Sequence, residues 1–240
     1  MDQEMYRRYA ANGYHVERGV FTAEEVGQML AHYMAMRAEG PHPGDSAGVP
    51  AHSRPDAPDP WKQYPRMIQM HHWDALTRQW MSDPRLTDVV AALMGQRPKL
   101  IQTMVYFKPP GGRGQSFHQD NIYLRTTPLL AAWVALDRAD AENGAMEMVR
   151  GSHLLGLLPL READTDISVT EIETVIPSYL PRDLMALEPG DAVLFGGLTI
   201  HGSLPNRSRD RFRRAFICHY AGAEAYPIVA PSLSLDAEAK

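Results

Sequence analysis

The stretch KLIQTMVYFKPPGGRGQSFHQD, residues 99–120, decides the fold because it predicts two strands joined by a turn. Residues 99–108 are rich in apolar, β-branched and aromatic side chains, which favour a strand. The Pro-Pro and Gly-Gly pairs then mark a turn at residues 109–112. The chain resumes with Ser-Phe-His-Gln-Asp at residues 116–120, and we predict that this second strand extends to residue 124.

More short strands of the same kind follow along the chain. Turn signals at Asn143-Gly144 and at Pro189-Gly190-Asp191 separate them. The candidate strands are residues 130–137, 145–149, 192–195, 198–203 and 213–220. Helical patterns precede them, and helices followed by many short strands predict a mainly β fold. We expect a β-sandwich or jelly roll buttressed by N-terminal α-helices.

Two amphipathic helices are predicted in the N-terminal part. Thr22 and Glu25 have the spacing of a capping box at the start of a helix that ends at Glu39. Asp83 suits the N-cap of a second helix and Pro84 its first position, and apolar residues recur at helical intervals up to residue 94. These helices can bury one face each against the strands.

Two segments without clear periodicity are predicted to wall a pocket. Residues 40–65 are rich in Pro, Gly, His and Asp and predict a long surface loop, of the kind that often forms a lid. Residues 161–182 are acidic and predict an insertion between strands. The length fits one domain over residues 1–240, with a helical part over about 1–97 and a jelly-roll core over about 98–222.

The composition is that of an ordinary globular protein. The 240 residues are 44% hydrophobic and 22% charged, with a net charge of −5, so no basic surface for nucleic acid or an anionic membrane is expected. A single cysteine, Cys218, excludes an intrachain disulfide, and no apolar run approaches the ~18 residues of a membrane span. We expect a cytoplasmic monomer or homodimer that acts on a small-molecule substrate, without nucleic-acid or membrane partners.

A metal site is predicted from His118 and Asp120. Alternate side chains of a strand share a face, so a strand would project both residues to one side. His201 ends a strand-like run much later in the chain and is the candidate third ligand. Two histidines and one carboxylate are the facial triad of non-haem Fe(II) oxygenases, which leaves three coordination positions open.

The residues after His201 favour this interpretation over a chance H-x-D triplet in a chain with ten histidines. Arg213 begins the next strand-like run, and an antiparallel return could bring its guanidinium beside the metal, where it could hold a carboxylate with two hydrogen bonds. Ser203 could face the same cavity. Arg211 and Arg214 are close competitors for the role of Arg213.

With these candidate site residues, the chain resembles the phytanoyl-CoA dioxygenase family of Fe(II)- and 2-oxoglutarate-dependent oxygenases. The motifs that carry the resemblance recur in family order over about residues 102–220. They are Phe117-His118-Gln119-Asp120, Trp133-Val134-Ala135-Leu136, Glu142-Asn143-Gly144-Ala145, Gly151-Ser152-His153, Pro189-Gly190-Asp191, His201-Gly202-Ser203 and Phe212-Arg213-Arg214-Ala215.

The resemblance implies a double-stranded β-helix, that is, a cupin-like jelly roll, with iron at its open mouth. It implies that His118, Asp120 and His201 bind Fe(II). It also implies that Arg213 and Ser203 hold the distal carboxylate of 2-oxoglutarate, with O₂ as the second cosubstrate. Further expected contacts are Trp133, Tyr106 and Gln102 for the cosubstrate, and Met104, Lys108 and Tyr123 for the substrate.

The activity implied by the resemblance is hydroxylation of an unactivated C–H bond in a small metabolite or natural-product intermediate, with release of succinate and CO₂. Asp120 disfavours halogenation, because the related halogenases have a small residue there. Desaturation, epoxidation or cyclisation at the same site remain open, as does a non-catalytic, cupin-like metal-binding protein. The sequence does not indicate the substrate.

Other reactive side chains are given structural interpretations. His71 and His72 are adjacent and cannot readily share one metal, so they receive no role. His153 follows a predicted turn, where a hydrogen bond to the backbone is expected. Cys218 lies in a hydrophobic run and is expected to be a small buried residue.

Overall fold

The computed structural model describes residues 3–40, 42–43, 64 and 66–227. Its helices are α1 (Gln3–Asn12), α2 (Ala23–Glu39), α3 (Ala75–Met81), α4 (Pro84–Met94) and α5 (Asn121–Leu124). Its strands are β1 (Tyr14–Glu17), β2 (Met67–Ile68), β3 (Pro98–Tyr106), β4 (Gln115–His118), β5 (Thr126–Ala135), β6 (Met146–Val149), β7 (Leu160–Glu162), β8 (Ile172–Thr174), β9 (Arg182–Leu184), β10 (Ala192–Gly196), β11 (His201–Ser203) and β12 (Ala215–Pro227).

Two antiparallel sheets form the core of the fold. The major sheet has the strand order β1-β10-β5-β12-β3-β2, and the minor sheet has the order β4-β11-β6-β9. Strands β7 and β8 pair as a separate hairpin. The predicted fold is confirmed: the chain is mainly β and forms a cupin-like jelly roll with helices at its N-terminal side.

The alternation of strand side chains separates two hydrophobic cores. In β5, Leu130, Ala132 and Val134 belong to the core that contains the helices, whereas Ala131 and Trp133 belong to a second core. This second core also contains residues of β6 in the minor sheet, so it lies between the two sheets. A site opening between the sheets is therefore lined by the second set of β5 residues.

The helices that cover the major sheet begin and end as their sequences predict. The Thr22 hydroxyl accepts from the backbone N–H of Glu25, and the Glu25 carboxylate accepts from the N–H of Thr22, which completes the capping box of α2. Helix α4 has Asp83 as its N-cap and Gly95, at φ 70°, as its C-cap. Each helix places its apolar face in the core.

Several predicted strand boundaries are wrong. The strand predicted over residues 116–124 ends at His118, because the chain turns into α5 after Asp120. The strand predicted from residue 198 begins only at His201, after a tight turn that leaves β10. The strand predicted from Arg213 begins two residues later, at Ala215, and extends to Pro227.

The N-terminal part also contains elements that the sequence did not reveal. Helices α1 and α3 were not predicted, and strands β1 and β2 extend the two edges of the major sheet. The part predicted as helical therefore contributes strands to the jelly roll. Residues 161–182 contain most of the β7–β8 hairpin, and most of the predicted lid over residues 40–65 lies outside the described residues.

Among the described residues, no helix combines the length and the apolar character needed to cross a membrane.

Candidate active site

His118, Asp120 and His201 form a compact cluster at the mouth of the jelly roll. Strands β4 and β11 pair with His118 directly opposite His201, which brings the two ring centroids to 4.2 Å. Asp120 Oδ1 lies 3.7 Å from Nε2 of each histidine. One ligand atom from each of the three residues lies within 4.8 Å of the others, and all three residues are buried. We refer to these residues as the triad.

Backbone carbonyls fix which nitrogen of each triad histidine can bind a metal. Nδ1 of His118 is 2.8 Å from the carbonyl oxygen of Ser116, and Nδ1 of His201 is 3.0 Å from that of Thr199. Because a carbonyl oxygen only accepts, Nδ1 must carry the proton in both rings. Both Nε2 lone pairs then face the space beside Asp120. Burial, followed by the neighbouring His201, lowers the pKa of His118 to about 4, which favours the neutral ring.

The residue between the first two triad members anchors the segment from the opposite side. Gln119 is fully buried, and its amide donates to the carbonyl oxygens of Gly156 and Leu198, both at 2.7 Å. Its carbonyl oxygen accepts from the N–H of Leu158. This side chain ties the end of β4 to two neighbouring loops, so Asp120 keeps its place although it lies beyond the strand.

His219 on β12 contacts the second oxygen of the Asp120 carboxylate. Its Nε2 is 3.3 Å from Asp120 Oδ2, while Oδ1 faces His118 and His201. Burial works to raise the pKa of Asp120, but the imidazoles of His201 and His219 outweigh it and the pKa is lowered. The carboxylate is therefore held ionised, with one oxygen directed to the other triad members.

A cavity of about 280 Å³ opens in front of the triad. Its lining includes the triad, His219, and a row of inward-facing residues of β3: Gln102, Met104 and Tyr106. Trp133 of β5, Ser203 of β11 and Arg213 line its inner part, and Tyr123 of α5 lies on its lining with half of its surface exposed. The cavity therefore brings together every predicted site residue except Lys108.

Lys108 lies behind this cavity instead of in it. It is fully buried, and its Nζ donates to Ser203 Oγ at 2.8 Å and to the carbonyl oxygens of Leu204 and Gly144 at 2.5 and 3.3 Å. Burial, and then repulsion from Arg213, hold the pKa of Lys108 well below its ordinary value. This position does not fit the expectation that Lys108 contacts the substrate. The ammonium group instead contacts Ser203 and two backbone carbonyls at the inner end of the cavity.

Arg213 closes the inner end of the cavity beside Lys108 and Ser203. It is 2% exposed, its Cζ lies 5.2 Å from the centre of the Trp133 ring, and its Nε donates to the carbonyl oxygen of Gly144. Its Nη1 is buried without a hydrogen-bond partner. Burial lowers its pKa to about 10, so it stays charged at neutral pH. We refer to Arg213, Lys108 and Ser203 as the cationic end.

Gly144 must be a glycine for the cationic end to form. Its φ is +85°, and an added Cβ would lie 2.5 Å from the carbonyl oxygen of Leu204. Only glycine adopts this conformation without strain and allows so close an approach. The carbonyl of Gly144 then accepts from both Arg213 and Lys108, which fixes the two cations relative to each other.

The arginines that compete with Arg213 point elsewhere. Arg214 forms a two-pronged ion pair with Asp137, at 2.7 and 2.8 Å, and Arg211 pairs with Asp140 and Glu142. The route to the cavity differs from the predicted antiparallel return. Strand β11 lies in the minor sheet and β12 in the major sheet, so the chain crosses between sheets before Arg213 reaches the cavity.

Several residues of the cavity lining were not predicted as site residues from the sequence, among them His219, Gln115 and Arg66. His219 has the same parity as Ala215 and Ile217, which lie in the core between the sheets, so the alternation of β12 could have indicated it. Gln115 precedes the predicted strand, and its side chain contacts Nε2 of His118 at 3.1 Å. Arg66 follows the predicted loop over residues 40–65, where no periodicity identifies an inward-facing position.

The side chains given structural interpretations fit them. His71 and His72 lie in a short 3-10 helix and are not on the described lining of the cavity. Nδ1 of His71 contacts the Thr103 hydroxyl. Nε2 of His153 contacts the carbonyl oxygen of Ala10. Cys218 is fully buried.

A family model described as phytanoyl-CoA dioxygenase matches residues 9–215. The chain belongs to this family. The phytanoyl-CoA dioxygenase family consists of iron- and 2-oxoglutarate-dependent oxygenases. Over 162 residues, the chain is 35% identical to a probable phytanoyl-CoA dioxygenase of Caenorhabditis elegans, across 62% of this chain and 51% of that protein. The chain spans about half the length of several curated relatives that it matches.

Two further similarities extend over almost the whole chain. A probable alpha-ketoglutarate-dependent hypophosphite dioxygenase of Stutzerimonas stutzeri is 26% identical over 238 residues, covering 95% of this chain and 82% of that protein. The crystal structure of the epimerase SnoN in complex with Fe3+, alpha ketoglutarate and nogalamycin RO has a TM-score of 0.72 at 23% identity, covering 98% of this chain and 91% of that one. The structural similarity shows the shared fold.

The residues of this chain fit both groups that the family uses. Two imidazole lone pairs and one carboxylate oxygen converge on one point, which is the donor set that non-haem Fe(II) takes in a facial triad. At the other end, the unpartnered Nη1 of Arg213 fits a carboxylate of 2-oxoglutarate. Where iron is bound, it would take the lone pair of His118 that the Gln115 amide contacts.

Proposed function

We propose that this protein is an Fe(II)- and 2-oxoglutarate-dependent oxygenase that hydroxylates a small molecule. The observation that carries the proposal is the placement of a three-residue metal donor set and an unpartnered buried arginine at two ends of one cavity. A metal-binding protein of the same fold without this activity has no need of a second, cationic end. The combination supports a cosubstrate that bridges the two.

In this proposal each side chain has a defined task. His118, Asp120 and His201 hold Fe(II) on one face, so positions remain open for other ligands. Arg213 and Ser203 bind the distal carboxylate of 2-oxoglutarate. Trp133 packs beside the carbon chain of 2-oxoglutarate, and Gln102 and Tyr106 offer polar groups to the cosubstrate, while Met104 lines the cavity as a substrate contact. Bound iron, with 2-oxoglutarate and O₂, supplies the oxidising power to break an unactivated C–H bond, with release of succinate and CO₂.

Lys108 acts indirectly in this proposal. Its ammonium donates to the hydroxyl oxygen of Ser203, so that hydroxyl keeps its own proton for a carboxylate oxygen. The positive charge of Lys108 also lies next to Arg213 and favours an anion there. We therefore treat Lys108 as a positioning residue and not as a substrate contact.

The size of the cavity supports a small substrate. A volume of about 280 Å³ is at the lower end of the roughly 300–1,000 Å³ of ligand sites, and 2-oxoglutarate would occupy part of it. Tyr123 and Thr170 line the cavity beyond the triad and are the proposed substrate contacts. Names of relatives point to substrates as different as hypophosphite and phytanoyl-CoA, so they select no single one.

Anaerobic reconstitution tests the proposal. Addition of Fe(II) and then 2-oxoglutarate is expected to give a weak visible charge-transfer band at about 500 nm, because the 2-oxo acid would chelate the Fe(II) in such a site. Exposure to air is then expected to yield succinate, and with a suitable substrate a hydroxylated product. Absence of both the band and succinate would contradict the proposal. A different product, such as an epimer or a cyclised compound, would replace hydroxylation as the proposed reaction but would leave the proposed enzyme class unchanged.

A further inference from the structure

Arg66 is a cation on the cavity wall that the proposed cosubstrate does not use. It precedes β2 and lines both the main cavity and the small recess at its inner end. Its Nη1 donates to the hydroxyl oxygen of Tyr106 at 3.1 Å, and its guanidinium lies 5.5 Å from the centre of that ring. Its Nε is buried without a hydrogen-bond partner.

No carboxylate compensates Arg66 among the described residues. Asp120 is the only acidic residue on the described lining of the cavity, and its oxygens are directed to the imidazoles. The neighbouring Tyr106 raises the pKa of Arg66, so the side chain is charged at neutral pH. A partly buried charge without a counterion is unfavourable unless a bound anion completes the site.

The charges expected in the working site leave Arg66 without a partner. Fe(II), Arg213 and the Lys108 ammonium carry four positive charges, against three negative charges on Asp120 and the two carboxylates of 2-oxoglutarate, so no anion of the site is left over for Arg66. Tyr123 lies near both Asp120 and Arg66. Arg66 is therefore on the triad side of the cavity as well as at the recess. Arg66 can therefore reach a second molecule bound in front of the metal.

We propose that the substrate carries an anionic group, a carboxylate or a phosphate, and that Arg66 binds it. The proposal rests on the proposed oxygenase function and adds the chemical class of the substrate. Guanidinium groups bind both kinds of anion through paired N–H donors, and Arg66 has its Nε and its second terminal nitrogen available for this. Tyr106 would hold the guanidinium in position from the side.

The test measures binding of two small anions to protein that already holds Fe(II) and 2-oxoglutarate, under anaerobic conditions that prevent turnover. Acetate and methylphosphonate serve as the carboxylate and phosphate probes, and their affinities are measured by titration calorimetry. For the wild type we expect saturable binding of at least one probe. Arg66→Gln is expected to weaken it by roughly tenfold or more. The probe that binds more tightly identifies the anion.

Matched variants separate this role from structural and electrostatic effects. Arg125→Gln removes one exposed positive charge at the end of α5 and is expected to bind the probes as the wild type does. Arg66→Lys keeps the charge and is expected to bind with intermediate affinity; it replaces Arg66→Gln if that variant does not fold. The affinity for 2-oxoglutarate, taken from the charge-transfer band, is expected to change by less than roughly threefold in Arg66→Gln.

Three outcomes would overturn the inference. One is a wild type that shows the charge-transfer band but binds neither probe. Another is equal probe binding by the wild type and Arg66→Gln. The third is an Arg66→Gln variant that loses 2-oxoglutarate affinity as Arg213→Gln does, because Arg66 would then serve the cosubstrate. A wild type without the band would instead count against the proposed function itself.

Discussion

The triad and the cationic end lie at two ends of one cavity and are incomplete in opposite ways. Among the residues that the structure describes, no Lys or Arg side chain pairs with the triad carboxylate, and no Asp or Glu side chain pairs with Arg213 or Lys108 at the cationic end. Backbone carbonyls hold each end through other atoms than those proposed to bind ligands: they accept from Nδ1 of both triad histidines, and the carbonyl of Gly144 accepts from Nε of Arg213.

The comparison shows how one cavity can offer sites to two ligands of opposite charge, a metal cation at the triad and a carboxylate at the cationic end. Burying a guanidinium without a paired carboxylate is unfavourable by several kcal/mol, so stability of the fold alone does not explain the burial of Arg213. The two ends share β11, which carries His201 and Ser203, but their other members differ: His118 and Asp120 lie on or next to β4, while Arg213 precedes β12. Substitutions should therefore affect one end while the other keeps its ligand.

Loss of a metal ligand is expected to have the largest effect. His118→Ala removes one of three donors and should lower the affinity for Fe(II) by more than the roughly 10- to 100-fold that is typical for loss of an outer partner. Bound iron and the charge-transfer band with 2-oxoglutarate report the loss. His72→Ala, a change at an exposed histidine, is the control and should bind iron normally. Equal iron binding by both variants would refute the assignment of the triad.

Arg213→Ala should affect the opposite end. It leaves the carboxylate of 2-oxoglutarate without its buried cation, and we expect the cosubstrate to bind about 2–4 kcal/mol more weakly, or roughly 30- to 1000-fold. Iron binding without 2-oxoglutarate should stay within a few-fold of the wild type. Arg214→Ala is the matched control, because that side chain pairs with Asp137 outside the cavity. If Arg214→Ala had the larger effect, the two arginines would have to exchange roles.

The sequence predicted this pair of ends better than it predicted the elements that carry them. His118, Asp120, His201, Ser203 and Arg213 all lie on the cavity, and the jelly roll is confirmed. Asp120 was placed on the face of a strand, but it lies after β4, where the turn into α5 and the buried Gln119 side chain hold it. The spacing of these residues therefore predicted which side chains share the cavity, although it did not predict the backbone conformation at Asp120.

Contacts between distant segments are what the sequence could not provide. Nothing near Lys108 indicates that its ammonium meets Ser203, because that contact depends on how β3 and β11 pack. Arg66 lies next to a segment without periodicity, and only the tertiary fold brings it to Tyr106. The single-domain boundaries, the cytoplasmic location and the monomeric or homodimeric state stay predictions.

His219 tests whether the triad depends on support from β12. Its Nε2–H donates to Asp120 Oδ2, so His219→Ala should loosen the carboxylate and weaken Fe(II) binding by roughly 10- to 100-fold. Gln can place an N–H donor near the same point, and His219→Gln should recover most of the affinity. The Fe(II) dissociation constant of each variant, measured without 2-oxoglutarate, gives the answer. Equal weakening in both variants would indicate a packing role instead of a hydrogen bond.

The smallest expected effect is a pH dependence at the cationic end. The pKa of Lys108 is lowered first by burial and then by Arg213, so the ligand-free fold gains stability as the pH rises toward the ordinary lysine value of 10.5. A carboxylate bound beside Lys108 favours the protonated form and raises that pKa. Between the two pKa values the complex therefore holds a proton that the free protein lacks, and 2-oxoglutarate should bind more tightly as the pH falls.

We expect a change of roughly two- to threefold per pH unit at pH values below the ordinary lysine pKa, with proton uptake on binding. Calorimetric titrations of 2-oxoglutarate in buffers of different ionisation heat measure that uptake directly. Lys108→Met keeps the length of the side chain without the charge and should abolish the pH dependence while iron binding persists. If the variant kept the same slope as the wild type, the proton would belong to another group, and the opposite charges of the two ends would have to be explained without Lys108.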